Sequence, residues 1–381
     1  MNAENKFLPG SSQSGRDEIH IHNKVNSFTD ALQGEIQTIQ QSFEENKKLD
    51  ASKIGLFSVQ TANNWIQQAS TKPIPNMLFG EFWHEGEICI LFADTNLGKS
   101  ILAVQIANSI SRGVPINGFK LEALLQKVLY FDFELTGKQF QNRYSENYSN
   151  SYKFSDNLIR IEINPDCDVP DGMTFEEYLN ESIEKVIMKE NAKILIIDNM
   201  TYLRSETEKS RDALPLMKQL KALKNKYGLS LLILAHTPKR DLSKPITRND
   251  LQGSKMLINF CDSAFAIGES FSDNNIRYLK MIKARSTEII YDADNVCVCH
   301  ICKPFNFLQF EFLEFGKESN FLKVLTNNEK EELERQVKYL IDSEPGISAY
   351  AIAKKLCTDD LNFNSFKVKV NRIFNKLKQT T

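Results

Sequence analysis

The chain has 381 residues, of which 41% are hydrophobic and 25% are charged, and its formal net charge is −2. This length and composition allow a sizeable core and more than one compact domain. A nearly neutral net charge excludes a globally basic coat, so any contact with nucleic acid must come from a local patch.

Export and membrane insertion are not expected. No apolar run approaches the roughly 20 residues of a membrane span, and the polar start MNAENKFLPGSSQSGRDE lacks an apolar signal core. Seven cysteines in a chain this long do not form a disulfide-dense framework. We therefore expect a reduced, cytoplasmic protein with no membrane partner.

The N-terminal part of the chain predicts an arm rather than a core. Residues 1–25 are polar and rich in Ser, Asn and Gly, so we expect disorder there. Residues 26–48 predict an amphipathic helix, which could pack on a neighbouring subunit or on its own domain. A short helix at 61–70 and an extended linker complete an arm over 26–74. The apolar positions of the first helix are Phe28, Leu32, Ile36, Ile39 and Phe43.

Residues 75–318 predict an α/β domain. Short apolar runs alternate here with amphipathic helices; the runs are EICILFA, KVLYFDFE, IRIEI, KILIIDN and LSLLILAHT. Strands that are apolar almost throughout are buried on both faces, as in a mostly parallel sheet covered by helices. The later stretches DSAFAIGES, IRYLKMIKARS and FLQFEFLEF predict further strands, some of them antiparallel.

Residues 327–381 predict a small helical domain. Three helices are expected at 329–343, 348–357 and 365–378, with Ser348 as an N-cap. A basic third helix favours a helix-turn-helix or winged-helix domain that lies against DNA. A generic three-helix module, or a docking surface for another replication protein, would show the same pattern. The basic residues of the last helix are Lys367, Lys369, Arg372, Lys376 and Lys378.

A phosphate-binding loop is predicted at FADTNLGKS. It follows a buried strand and opens a helix, so that backbone N–H groups and the helix N-terminus face the phosphates. Lys99 would reach the β and γ phosphates of ATP, and the Ser100 hydroxyl would ligate Mg²⁺. The first glycine of the motif is replaced by alanine, the next smallest residue. The candidate nucleotide-binding residues are Ala93, Asp94, Thr95, Asn96, Leu97, Gly98, Lys99, Ser100 and Ile101.

Two strand ends supply candidate carboxylates. KILIIDN ends in Asp198, which would hold Mg²⁺ through water on the adjoining strand, although many strands end in Asp as a turn residue. VLYFDFE ends in Glu134, which could orient and deprotonate an attacking water. Asp132 is the alternative base, or else a supporting or plain strand-end acid.

These motifs resemble the RecA/DnaB superfamily of P-loop ATPases. The strings GEICILFADTNLGKSILAVQIA, VLYFDFEL, ILIIDNMTYL and LLILAHTPK are most similar to RepA-like hexameric helicases of plasmids and mobile elements. The resemblance covers roughly residues 75–315. RecA-like ATPases carry the catalytic acid at the position of Glu134, whereas AAA+ ATPases carry it where this chain has Asn199.

The resemblance implies further catalytic residues. Arg143 matches an arginine at the same spacing in RepA-like helicases, and His236 stands where the family has a polar sensor of the γ-phosphate. Lys283 and Arg285 match a Lys-x-Arg pair that reaches the nucleotide of a neighbouring subunit. Each residue also has an interpretation without a catalytic role. Arg143 would be an exposed helix arginine, His236 a buried strand-end histidine, and Lys283 and Arg285 part of an ordinary exposed strand face.

The resemblance also places DNA-contacting loops at residues 237–254, ahead of the family segment that starts at Gln252-Gly253-Ser254. The segment has no aromatic residue for base stacking, so a solvated loop is the alternative. Its cations are Lys239, Arg240, Lys244 and Arg248.

The stretch CVCHIC raises a zinc site as a hypothesis. Cys297 and Cys299 are two residues apart and would share one strand face, which suits a tetrahedral site poorly. His300 and Cys302 complete this cluster of potential ligands, and the sequence has no second cluster to pair with it. A strand of small residues is therefore the favoured interpretation.

The sequence thus predicts a Mg²⁺-dependent ATPase that assembles as a hexameric ring and acts on single-stranded or forked DNA. An ATP-dependent switch or scaffold, which binds protein partners without unwinding DNA, is the alternative.

Overall fold

A computed structural model describes residues 53–55, 57–200, 213–238, 240–251, 254–323, 327–357 and 363–379. The chain divides into two compact units, 1–74 and 75–381. The segments predicted as disordered (1–25) and as an amphipathic helix (26–48) lie outside the described residues, as do Lys239, Gln252 and Gly253.

The described residues of the first unit form a small hairpin and one helix. Strand β1 (Lys53–Ile54) pairs antiparallel with β2 (Phe57–Ser58). Helix α1 (Ala62–Ser70) follows, and the Thr61 side chain accepts a hydrogen bond from the Asn64 backbone N–H, as an N-cap does. The helix predicted at 61–70 is confirmed.

The second unit holds the remaining elements. Its strands are β3 (Met77–Phe79), β4 (Trp83–His84), β5 (Ile88–Ala93), β6 (Val128–Asp132), β7 (Leu158–Ile161), β8 (Ile194–Asp198), β9 (Ser230–His236), β10 (Ser263–Glu269), β11 (Ile276–Lys283), β12 (Val296–Cys302) and β13 (Gln309–Gly316). Its helices are α2 (Lys99–Arg112), α3 (Gly137–Arg143), α4 (Phe175–Glu190), α5 (Ala213–Tyr227), α6 (Ser254–Phe260), α7 (Asn327–Ser343), α8 (Ala349–Leu356) and α9 (Phe363–Gln379).

Nine strands form one sheet in the order β13-β12-β11-β10-β5-β9-β8-β6-β7. Strands β10, β5, β9, β8, β6 and β7 are parallel, and β11 to β13 extend the sheet antiparallel. This confirms the predicted α/β fold with a mostly parallel sheet.

Helices cover both faces of this sheet, which explains its continuous apolar strands. In β5 the side chains of Cys89 and Leu91 pack on the side of α2, whereas those of Ile88 and Ile90 pack on the side of α4 and α5. Among the described residues, no helix is long and apolar enough to cross a lipid bilayer.

Two predicted strand ends were wrong. β6 ends at Asp132 because the Asp132 carboxylate accepts the backbone N–H groups of Glu134 and Leu135 and turns the chain. β11 ends at Lys283, so Arg285 lies beyond the strand.

The three C-terminal helices pack around a hydrophobic cluster of their own. Ser348 caps α8 by accepting the Ala351 backbone N–H at 3.2 Å, as predicted. No strand follows β13 in the part of this region that the structure describes, so no wing accompanies these helices there. The buried residues of the cluster are Val337, Ile352, Ala353, Phe366, Val370 and Phe374.

Gly268 is expected to be essential for packing between β10 and β11. It faces Tyr278 across the two strands, and a Cβ at this position would lie 2.1 Å from Tyr278 Cζ. The Tyr278 hydroxyl is fixed 3.2 Å from Glu318 Oε1, so the buried ring cannot swing away. Gly268→Ala should therefore lower the free energy of unfolding by about 1–3 kcal/mol, measured by urea denaturation. A Cβ at Gly137 would meet open space, so Gly137→Ala should leave the free energy of unfolding nearly unchanged. Equal losses in the two variants would contradict the close packing of Gly268 against Tyr278.

Candidate active site

The predicted phosphate loop connects β5 to α2. Ala93 is the last strand residue and is buried, so alanine at the first motif position fits without altering the strand. Gly98 ends the loop with a φ of 96°, and a Cβ there would lie 2.9 Å from the Phe310 ring. Only glycine satisfies both conditions at the start of α2.

Lys99 lies folded into the loop. Its Nζ donates to the carbonyl oxygens of Ala93 at 3.0 Å and Asp94 at 2.9 Å, and lies 3.2 Å from His236 Nδ1. Burial lowers the pKa of Lys99, while the carboxylates of Asp198 and Glu134 act in the opposite direction. The ammonium group is thus held among the residues that the sequence assigns to one site.

Asp198 and Ser100 form a place suited to a hydrated divalent cation. The Tyr130 hydroxyl donates to Asp198 Oδ2 at 2.7 Å. Asp198 Oδ1 is buried and makes no hydrogen bond of normal geometry within the described residues, although the Ser100 hydroxyl is close enough to lower the carboxyl's pKa. Burial outweighs these bonds and raises the pKa of Asp198 to about 6. An unpartnered buried carboxylate oxygen beside a hydroxyl fits the oxygen ligands that Mg²⁺ requires.

Glu134 joins this site through Asn199 and His236. Asn199 Nδ2 donates to Glu134 Oε1 and lies 3.0 Å from His236 Nε2. His236 Nε2 lies 3.4 Å from the same Glu134 oxygen. The hydrogen bond from His236, together with the charges of Lys99 and Arg143, lowers the pKa of Glu134. The lowered pKa keeps the Glu134 carboxylate ionised at neutral pH.

The contacts of His236 select one neutral tautomer. Lys99 can only donate, so Nδ1 accepts from the ammonium and Nε2 carries the proton that is donated to Glu134. Because Nε2 carries the proton, it cannot accept a hydrogen bond from the Asn199 amide. The Asn199 amide therefore donates to Glu134 and holds its carboxylate in place. In the sequence, Asn199 is notable only because it is not an acid, and no sequence signal predicts its pairing with Glu134.

Asp132, the alternative base, is fully committed to structure. Its buried carboxylate pairs with Arg160 Nε at 2.8 Å and also accepts two backbone N–H groups of the following turn. Arg160 further donates to the Leu135 carbonyl at 2.6 Å. The pair fixes the turn that presents Glu134.

Arg143, at the end of α3, has a free donor near this site. Its Nη1 is buried and makes no hydrogen bond to any described residue, and its charge helps to lower the pKa of Glu134. A buried guanidinium donor without a partner needs an acceptor, and an anionic group would provide one.

Lys283 and Arg285 do not join this site. Lys283 Nζ donates to the Ile258 and Cys261 carbonyls, and Arg285 Nη1 lies 3.2 Å from Asp262 Oδ1. The Asp262 carboxylate also accepts the N–H of Ile88, the first residue of β5. The pair therefore lies at the amino edge of the parallel strands, about 20 Å from the phosphate loop for a six-residue strand.

The basic loop at 237–254 is partly occupied by internal contacts. The Arg240 side chain is 7% exposed and donates to the Lys244 carbonyl, while Lys244 Nζ lies 3.7 Å from Asp241 Oδ2. Arg248 is exposed in a 3₁₀ turn. Lys369 of α9 reaches the loop and lies 3.1 Å from Asp241 Oδ2.

Comparison with known proteins supports the nucleotide site. A family model described as an AAA domain matches residues 56–241, just under half of the chain. No curated protein matches the chain. Together with the geometry of the phosphate loop, this match supports a P-loop ATPase domain within residues 56–241. The match ends before Lys283, Arg285 and the C-terminal helices.

The pKa of Asp198 gives a pH dependence. Cation binding needs the carboxylate, and a pKa raised to about 6 means that protonation begins at higher pH than for an exposed aspartate. Mg²⁺-dependent binding of a fluorescent ATP analogue should weaken as the pH falls through about 6. Tyr130→Phe removes the donor to Oδ2 and should shift this midpoint upward relative to the unmodified chain. Because ATP titrates identically with both proteins, coincident midpoints would contradict the assignment.

Proposed function

We propose that the chain is a RecA-like, Mg²⁺-dependent ATPase that assembles into a hexameric ring and acts on DNA as a RepA-like helicase. The observation that carries this proposal is the division of the catalytic residues between two edges of one sheet. Glu134, His236 and Lys99 lie at the carboxyl edge, and Lys283 and Arg285 lie at the amino edge.

Glu134 is proposed as the catalytic base. Both described side-chain contacts fall on Oε1, from Asn199 and His236, which leaves Oε2 to orient a water and accept its proton. The water attacks the γ-phosphate in line with the departing ADP oxygen. Positioning by two donors lowers the freedom of the carboxylate before the reaction begins.

Lys99, Ser100 and Asp198 are proposed to hold the phosphates and the metal. Mg²⁺, when bound, neutralises charge on the β and γ phosphates. Arg143 Nη1, buried and unpartnered among described residues, is proposed to donate to the phosphate. His236 contacts both Lys99 and Glu134, so a movement of the ammonium toward phosphate is transmitted to the base.

Lys283 and Arg285 are proposed to act on the nucleotide of the adjacent subunit. The distance along β5 excludes contact with the phosphate loop of their own subunit without rearrangement of the sheet. Cations at an interface would stabilise the charge that develops on the transferred phosphoryl group. AAA domains often oligomerise, which agrees with such an arrangement.

The switch alternative is favoured by the contact of α9 with the basic loop. Lys369 pairs with Asp241 and lies 3.5 Å from Ser243 Oγ. Burial alone would raise the pKa of Asp241, but hydrogen bonds from Ser243 and Lys369 lower this pKa to about 2. A loop that uses Arg240 and Lys244 internally and is held by α9 presents fewer free cations to DNA.

Arg285→Ala should reduce ATP turnover by about 10³-fold or more in the assembled protein while nucleotide binding persists, because arginine fingers contribute 10³–10⁵. Lys224→Ala is the matched control, since Lys224 Nζ contacts the same Asp262 carboxylate at 2.8 Å. Steady-state ATPase assays measure both variants. An equal loss in Lys224→Ala would assign the effect to Asp262 and the local structure.

Mixing experiments separate the two catalytic edges. A mixture of Arg285→Ala and Glu134→Gln subunits should recover activity, because each interface between an intact base and an intact arginine is functional. No recovery in mixed rings of confirmed composition would show that Arg285 acts within its own subunit.

The helicase proposal predicts ATP-dependent separation of a forked DNA duplex. Arg248→Ala should weaken DNA binding and reduce the slope of log affinity against log salt by about one. Lys317→Ala, an exposed cation at 3.6 Å from Asp294, is the control and should leave the slope unchanged. Steady ATP turnover without strand separation would favour the switch, provided that Lys369→Ala changes the rate of turnover.

A further inference from the structure

The edge hairpin of β12 and β13 gathers four side chains with potential ligand atoms on one face. His300 lies directly opposite Glu311, and Cys302 lies opposite Gln309. Residues two apart on a strand share a face, and directly opposed residues do so across strands. The four side chains therefore project from the same face of the hairpin.

A β-bulge creates this alignment. The register shifts between Val298 and Cys299, so that Val298 pairs with Glu314 whereas Cys299 pairs with Phe312. Without the extra residue in β13, His300 would face Phe312, and no carboxylate would lie opposite the imidazole. Bulges commonly re-aim side chains at sheet edges.

Two of the three distances between potential ligand atoms are close to those of a tetrahedral metal site. His300 Nδ1 lies 3.5 Å from Glu311 Oε2, and Cys302 Sγ lies 3.7 Å from the same oxygen. The potential ligand atoms of all three residues lie within 4.8 Å of one another. Zinc bonds of about 2.0–2.3 Å in a tetrahedron place ligand atoms about 3.3–3.6 Å apart.

The imidazole nitrogen is also without a hydrogen bond. His300 Nδ1 is buried and makes no bond of normal geometry to any described residue, even though Glu311 is near. The rest of the cluster remains accessible, with the His300 side chain 31% and the Glu311 side chain 49% exposed. An ion held by the accessible Glu311 carboxylate would give this nitrogen the partner that it lacks.

We propose that His300, Cys302 and Glu311 form a zinc-binding site on the outer face of this hairpin. Thiolate, imidazole and carboxylate together are a ligand set that suits Zn²⁺ better than Mg²⁺ or Ca²⁺. The fourth position is filled by water or by the Gln309 amide oxygen. Cys302 must lose its thiol proton to solvent as the zinc–sulfur bond forms, so binding releases one proton.

This site differs from the one that CVCHIC suggests in sequence. Cys297 and Cys299 are buried in the core on the side of α2 and cannot reach solvent. The third ligand comes from β13, which the sequence does not associate with this stretch.

The site has a structural connection to the phosphate loop. Phe310, beside Glu311, closely approaches Gly98 and exchanges two hydrogen bonds of 2.9 Å with the Gln105 side chain of α2. A metal that clamps β12 to β13 would therefore stiffen the wall behind the phosphate loop.

Titration of the metal-free full-length chain with Co²⁺, in the absence of nucleotide, tests the site. We expect one thiolate-to-cobalt charge-transfer band per chain, which Zn²⁺ displaces. Cys302→Ser should abolish the band. His300→Ala and Glu311→Gln should each weaken Zn²⁺ binding by roughly tenfold or more. Circular dichroism verifies that each variant is folded. If His300→Ala unfolds the protein, His300→Gln takes its place.

Two controls make the outcome specific. Cys167→Ser removes an exposed cysteine elsewhere, and His20→Ala with His22→Ala removes the N-terminal histidines; neither should change the band. A band that survives Cys302→Ser, unchanged Zn²⁺ affinity in the His300 and Glu311 variants, or no binding at all would overturn the proposal. ATPase activity is not needed for any of these measurements, so the result is independent of the proposed function.

Discussion

The active site depends on the register of four parallel strands. Ala93 in β5 pairs with His236 in β9, Asp132 in β6 pairs with Asp198 in β8, and Ile197 in β8 pairs with Ile233 in β9, so the four strands end at the same edge within about two residues of one another. Because parallel strands end at one edge, their loops deliver Lys99, Glu134, Asn199 and the His236 ring to one place. A shift of one residue in any strand would turn its terminal side chain to the opposite face of the sheet.

A single ammonium group relates the phosphate side of the site to the base. Lys99 bonds to its own loop carbonyls and to His236, and His236 bonds to Glu134. An ammonium that leaves these acceptors for a phosphate removes the hydrogen bond that fixes the imidazole tautomer. The orientation of Glu134 would thereby depend on whether phosphate occupies the loop, through three residues that lie at the ends of three different strands or just beyond them.

The sequence predicted the fold and the position of the phosphate loop because both leave local patterns. Continuous apolar runs identified the parallel strands, and the Gly98-Lys99-Ser100 spacing identified the loop. Contacts between distant segments leave no such pattern. The link from Asn199 to Glu134 joins residues 65 apart in sequence, and the approach of Glu311 to His300 depends on a bulge. The exact end of β6 was missed because Asp132 turns the chain through its own side chain.

The direction of β11 has the largest consequence for mechanism. This strand runs antiparallel to β10, so its end carries Lys283 to the amino edge of the parallel strands. There the two cations bond to carbonyls at the end of α6 and to Asp262, contacts that already satisfy them in an isolated subunit. The phosphates of an adjacent nucleotide would have to displace these partners from Lys283 and Arg285. A phosphate can do so because it is a stronger hydrogen-bond acceptor than a carbonyl. Transfer of Arg285 from Asp262 to phosphate would then make hydrolysis conditional on assembly, with Lys224 left to hold the carboxylate.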